Sequence, residues 1–304
     1  MSRHRTRRPA LSGLVTAAVV LLAGSTAGGA YMVGRPPDDA AASVAAVSSA
    51  SSPPAEAGRS EEPEVDLDAE LADALAPLAD GADVSVAVLD TESGAGGAYG
   101  DEAYDTASIV KVDILAALLL RAQDESRELS GAEHAYAEAM IRRSDNTSAT
   151  ELLKVIGGEE GLDAANERLG LTTTKAAHAW GLTQTTAADQ VRLMEAVSGT
   201  GSALSEASRA YLTGLMGQVE ADQRWGVSAA GTGAVLKNGW MPRTTTGLWD
   251  VNSIGRVESG GHTVLVAVLS RGHATKEAGI ALVESVAKAA VGVTEAGWDR
   301  TAQR

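Results

Sequence analysis

Residues 112–120, VDILAALLL, form a helix-like run that is apolar almost all the way round. A helix with one apolar stripe can rest on a core, but a helix apolar on nearly every side must be enclosed by protein. The chain therefore needs a layered core thick enough to surround one helix, and 304 residues suffice for it. Yet Ser108 and Lys111, in DTASIVK, stand at the mouth of this run. Lysine is a costly residue to draw into a core, so its position asks for a chemical reason.

The surroundings of the run set the fold class. DLDAELADALAPL spaces Leu67, Leu71, Leu75 and Leu78 for one helix face. DVSVAVLDTESGAGGAYG alternates like a strand, then turns through glycines, which predicts a hairpin. From Ala107 to about Leu193 the pattern is mostly helical. Strands return from Ala234 in GAVLKNGWM, GLWDVNSIGRV and HTVLVAVLS, and ATKEAGIALVESVAKAAVGV closes the chain as a helix. The strands at the two ends are expected to join in one antiparallel sheet with flanking helices. The middle is expected to form an all-helical lobe. This is an α+β architecture.

Residues 66–304 are read as that single domain. The first 34 residues are read as a signal peptide or signal anchor: a basic start, then an apolar stretch from Leu11 to Ala23, then small residues. Cleavage after Gly29 or Ala30 would release the body, and retention would tether it; either way the body is exported. Residues 35–65, rich in Pro, Ala, Ser and acids, are read as a disordered linker. Setting aside the five arginines of the first 35 residues leaves 20 basic side chains against 40 acidic ones. A body so acidic is a poor partner for nucleic acid. A small-molecule substrate, a monomer, and no membrane contact beyond the N-terminal segment are expected. The chain has no cysteine, which excludes a disulfide framework, thiolate ligands and a Cys nucleophile. Its five histidines show no His-Glu-x-x-His zinc pattern, no Gly-x-Ser-x-Gly elbow is present, and no cofactor is called for.

On a helix, residues three apart share a face, so Ser108 and Lys111 can bring hydroxyl and amine together. The helix start favours a developing anion on the serine. A desolvated lysine loses proton affinity and can act as base. The pair alone is weak, since Ser285 and Lys288 repeat the spacing in the last helix with nothing catalytic around them. Two further segments give it weight: Ser144, Asp145 and Asn146 before a helix-like run, and Lys237, Asn238 and Gly239 on a predicted strand.

Taken in order, these three motifs resemble those of the serine β-lactamase and penicillin-binding-protein superfamily, nearest the class A-like branch. The resemblance covers roughly residues 66–293. It implies an acyl-enzyme on Ser108, with Lys111 as base or proton relay and Ser144 passing a proton to the leaving nitrogen. Asn146 would hold the substrate amide and Lys111, and Asp145 would cap the next helix. Lys237 would attract a substrate carboxylate and acidify Ser144. The backbone N–H groups of Ser108 and Trp240 would form the oxyanion hole. Asn238 and Gly239 complete the substrate-binding set. Asn238 replaces the Thr or Ser usual in the family, leaving an amide where a hydroxyl would help bind the carboxylate.

A second departure concerns deacylation. Class A enzymes use a Glu in an Ω-loop, and the matching stretch, LGLTTTKAAHAWGLTQTTAADQVRLM, has none. Asp189 reads as a first-turn residue of the next helix, Glu167 precedes the loop, and His178 is a lone imidazole. The resemblance therefore implies a serine hydrolase acting on β-lactams or peptidoglycan-like peptides, with efficient β-lactam turnover in doubt. The alternative is a non-catalytic module of the same fold that binds a wall fragment or a protein.

Overall fold

The computed structural model describes residues 66–79 and 81–302. The expected N-terminal export segment and the linker lie outside the described residues. Among the described residues no helix is long and apolar enough to cross a membrane.

Five strands build one antiparallel sheet: β1 (Asp83–Asp90), β2 (Gly96–Tyr99), β5 (Thr232–Pro242), β6 (Trp249–Ser259) and β7 (His262–His273). Their order across the sheet is β2-β1-β7-β6-β5, so the N-terminal hairpin pairs with the C-terminal meander through β1 and β7. Both faces are covered. One core forms against α1 (Leu67–Ala79) and α8 (Lys276–Ala302), from residues such as Leu71, Val86, Leu236, Val251 and Val286. The other forms between the opposite sheet face and the helices of the middle region, from residues such as Val235, Ile254, Leu265, Leu115 and Met194.

The middle region holds α2 (Val110–Asp124), α3 (Gly131–Arg142), α4 (Asn146–Ile156), α5 (Gly158–Arg168), α6 (Ala187–Ser198) and α7 (Glu206–Met216). The α+β architecture is thus as expected, with three refinements. The lobe is not wholly helical: β3 (Tyr104–Asp105) and β4 (Gln184–Thr185) pair as a short ribbon. Helix continues beyond Leu193 through α7, and α8 runs to Ala302 rather than stopping near Val293. Two-residue strands leave no periodic signature, and the tail TEAGWDRTA contains no proline to end the last helix.

The apolar run of α2 is the axis of the lobe. Twelve of its residues are buried, including Lys111 and Asp113. The run is thus enclosed, as its composition demands, and it carries two ionisable groups inside with it.

Candidate active site

Ser108 lies in a 3-10 turn, Ala107–Ile109, that feeds directly into α2. The turn is held from the sheet. Asn252 on β6, fully buried, donates its amide to the carbonyls of Asp105 and Thr106 at 2.8 and 3.1 Å. Gly239 on β5 meets the same turn, so closely that a Cβ there would stand 2.8 Å from the Ser108 nitrogen. The approach of strand to turn is what requires glycine at this point. Ala107 itself adopts a positive φ of 48°, a conformation that costs a non-glycine residue about 1–3 kcal/mol and recurs at functional sites.

The second segment has an equally local logic. Asp145 caps α4, accepting from the Ser148 N–H at 2.7 Å. Ser144, just outside the cap, has φ 58°. This left-handed step turns its hydroxyl and its carbonyl toward α2, and Asn146 opens the helix beside them. Both meet the amine of Lys111. Its Nζ lies 2.9 Å from Ser108 Oγ, 2.6 Å from the Ser144 carbonyl, 3.1 Å from Ser144 Oγ and 2.8 Å from Asn146 Oδ1. Burial pushes the Lys111 pKa down to about 7, against the pull of the Asp145 carboxylate. Lysine at this value is half neutral near neutral pH, the condition for a base.

From the other side, Lys237 on β5 donates to Ser144 Oγ at 3.1 Å and to the Asn238 carbonyl at 2.8 Å. Only 1% of Lys237 is exposed. Burial, and then the charge of Lys111, lower its pKa well below the ordinary lysine value. The predicted residues Ser108, Lys111, Ser144, Asn146, Lys237 and Gly239 are therefore one cluster, gathered from the α2 entrance, the α4 entrance and the β5 strand.

Asn238 and Trp240 stand apart from it. Asn238 was expected to offer its amide to substrate. Instead it is buried, and its Nδ2 donates to the carbonyls of Gln223 and Trp225 at 2.8 and 3.0 Å. The reason is the two-residue period of a strand. Val235, Lys237 and Gly239 face the helical lobe, so Leu236, Asn238 and Trp240 face the α8 side. The Trp240 ring accordingly lies near Trp225, with centroids 5.9 Å apart, and under the Lys276 ammonium at 3.8 Å. What Trp240 can present toward Ser108 is its backbone.

A cleft of about 490 Å³ opens over Ser108. Its wall opposite the sheet is the 3-10 turn Trp180–Leu182, within the stretch matching the Ω-loop. Trp180 was not anticipated from the sequence. Its ring lies 4.9 Å from Lys111 Nζ and its Nε1 donates to Thr150 at 3.2 Å. Among the described residues, no carboxylate and no imidazole lines this cleft. The acids and the histidine weighed for deacylation are elsewhere. Asp189 is buried, accepting from Thr173, Thr174 and Arg192. Glu167 is exposed on α5. His178 has a fully exposed side chain beside Glu159.

A serine-bearing turn, a buried lysine and a second serine, set between an antiparallel sheet and a helical lobe, are the arrangement of a class A β-lactamase-like serine hydrolase. The chain belongs to the Beta-lactamase enzyme family, whose profile matches residues 134–294. Solved structures agree on the fold. A representative class A β-lactamase from Bacteroides cellulosilyticus is 15% identical with a TM-score of 0.66, covering 77% of this chain and 100% of that one. A β-lactamase from Xanthomonas campestris pv. campestris is 20% identical with a TM-score of 0.64, covering 76% and 100%. One from Desulfarculus baarsii is 19% identical with a TM-score of 0.62, covering 75% and 98%. No curated protein matches the chain.

Proposed function

We propose that the protein is an extracytoplasmic serine hydrolase that is acylated by β-lactams or peptidoglycan-like peptides and releases the acyl group slowly. The observation that carries this reading is the fully buried Lys111 amine, 2.9 Å from Ser108 Oγ and 3.1 Å from Ser144 Oγ at the floor of the cleft. Neutral Lys111 takes the Ser108 hydroxyl proton as Oγ bonds to the carbonyl carbon. The carbonyl π pair moves to oxygen, and the N–H groups of Ser108 and Trp240 receive the oxyanion. Collapse of this adduct breaks the C–N bond. Ser144 hands its proton to the leaving nitrogen and is resupplied from Lys111. Lys237 eases that transfer by donating to Ser144 Oγ, and Asn146 orients the substrate amide.

Slow release follows from the lining of the cleft. Hydrolysis of the acyl-enzyme needs a base placed at a water, and the Lys111 amine is the one base beside Ser108 among the described residues. Export is supported by the basic and apolar pattern of the first 34 residues.

The test is an intact-mass time course of the full chain with a fluorescent penicillin, beside Ser108→Ala. An adduct that persists for minutes and is lost in the variant is expected. Rapid penicillin consumption without an accumulating adduct would overturn slow release, and no adduct at all would overturn the acyl-transfer reading.

A further inference from the structure

We propose that this site prefers uncharged acyl donors over those carrying a carboxylate beside the scissile bond. The inference rests on the serine hydrolase reading above and names the substrate class of the same cleft. Its walls around Ser108 and Asn146 are apolar: Trp180, Leu182, Met241, Pro242 and Trp249, joined by the backbone of Trp240. Two of the chain's five tryptophans, Trp180 and Trp249, are among them. Among the described residues no charged side chain lines the cleft.

Four neighbouring cations have partners of their own. Lys111 Nζ is surrounded by four oxygens of Ser108, Ser144 and Asn146. Lys237 is sealed beneath β5, with its ammonium group on Ser144 Oγ and the Asn238 carbonyl. Arg243, just past the cleft wall, is ion-paired with Asp105 and lies 3.7 Å from Asp250. Lys276 is held over the Trp240 ring. The amide of Asn238, which would be the neutral alternative for holding a carboxylate, is spent on two backbone carbonyls. Burial also lowers the Lys237 pKa well below its ordinary value, so its positive charge is weakened as well as hidden.

A carboxylate entering this cleft gives up water and meets no cation on its lining, a loss that grows with burial of the charge. The net charge of the whole chain, −15, adds a weak long-range repulsion of anions. A neutral ester or amide with an aromatic or aliphatic side chain loses nothing of this kind and gains contact with the tryptophans.

The experiment compares benzylpenicillin with its methyl ester on the protein, reading the rate of adduct formation on Ser108 by intact mass. The two differ only in masking of the carboxylate. The methyl ester is expected to acylate at least about tenfold faster, as the desolvation penalty of an unpaired anion implies. Equal rates, or a faster free acid, would overturn the preference while leaving acyl transfer standing. No adduct from either compound would overturn the acyl-transfer reading itself, and this inference with it. Leu182→Arg separates charge from bulk, because Leu182 is 39% exposed on the cleft wall and tolerates replacement. An added cation there should bring the ratio toward one; an unchanged ratio would overturn the electrostatic explanation.

Discussion

Asp113 lies two residues beyond Lys111 on α2 and is fully buried. Neither of its carboxylate oxygens has a partner at hydrogen-bond geometry. Burial raises its pKa from 3.8 to about 7, with the Asp189 charge adding to this and its own N–H and the nearby Gln190 amide opposing it. Between those two values the native protein binds more protons at Asp113 than the unfolded chain does. Stability therefore falls as pH rises through this window, and the loss is complete above the folded value. At about 1.4 kcal/mol per pH unit, the loss is under about 1 kcal/mol at pH 4 and reaches about 4 kcal/mol at pH 8. Asp113→Asn keeps the shape and removes the titration. Any cost of leaving the amide unpaired is the same at every pH, so the pH-dependent part of the difference isolates the carboxyl. In urea or guanidinium unfolding of both proteins at pH 4, 5.5, 7 and 8, the variant should gain about 4 kcal/mol on the parent across the series. Parallel stability curves would refute the reasoning, because they would mean that Asp113 is as easily charged in the native protein as outside it.

Lys111→Ala should lower the rate of Ser108 acylation by at least about a hundredfold, with the far-UV circular dichroism unchanged; an unchanged rate would remove Lys111 as base. In the parent, acylation should rise with pH through about 7 and level off above it, as Lys111 gives up its proton; a flat profile from pH 6 to 8 would contradict this. Gly239→Ala would place a Cβ 2.8 Å from both the Ser108 nitrogen and the Thr106 carbonyl. It should lower stability by about 1–3 kcal/mol and slow acylation by moving Ser108, which thermal melts and the adduct assay would read together.

Much of this architecture is legible in the sequence. The hairpin pattern in 83–100 and the runs 233–241, 247–257 and 262–270 point to the strands, and the enclosed character of VDILAALLL locates the helix that carries Lys111. The cluster was reachable because three short motifs had a known joint meaning, although their separation in sequence hides the 3.1 Å contact between Lys237 and Ser144. Asn238 marks where motif reasoning failed and strand geometry would have served. Adjacent residues on a strand face opposite sides, so a Lys237 directed at the helical lobe already turned Asn238 away. Trp180 had no such signal. It stands in a loop, where neither period applies, and only the fold carries its ring to Lys111. Asp113 is hidden for the opposite reason: the run around it is so apolar that its one acid does not break the pattern.

Lys111 and Asp113 together explain why α2 is apolar all round. In an unfolded chain both are charged from about pH 4 to about pH 10. In the native protein Lys111 resists charging above about 7 and Asp113 resists it below about 7. Each burial thus costs about 4 kcal/mol at neutral pH, and because one penalty grows as the other fades, their sum is greatest there. That is also where a half-neutral lysine serves as a base. The helix is accordingly least favoured at the pH that suits its chemistry, and what offsets the cost must come from side chains that do not titrate. Ile114, Leu115, Leu118 and Leu120, all buried, each contribute about 1.5–3 kcal/mol by leaving water. The same enclosure excludes water from Lys111 and keeps its amine weakly basic. Apolar residues on every side of α2 are therefore both the compensation for the buried charges and the cause of the weakened basicity of Lys111 beside Ser108. A helix with one polar face would supply neither.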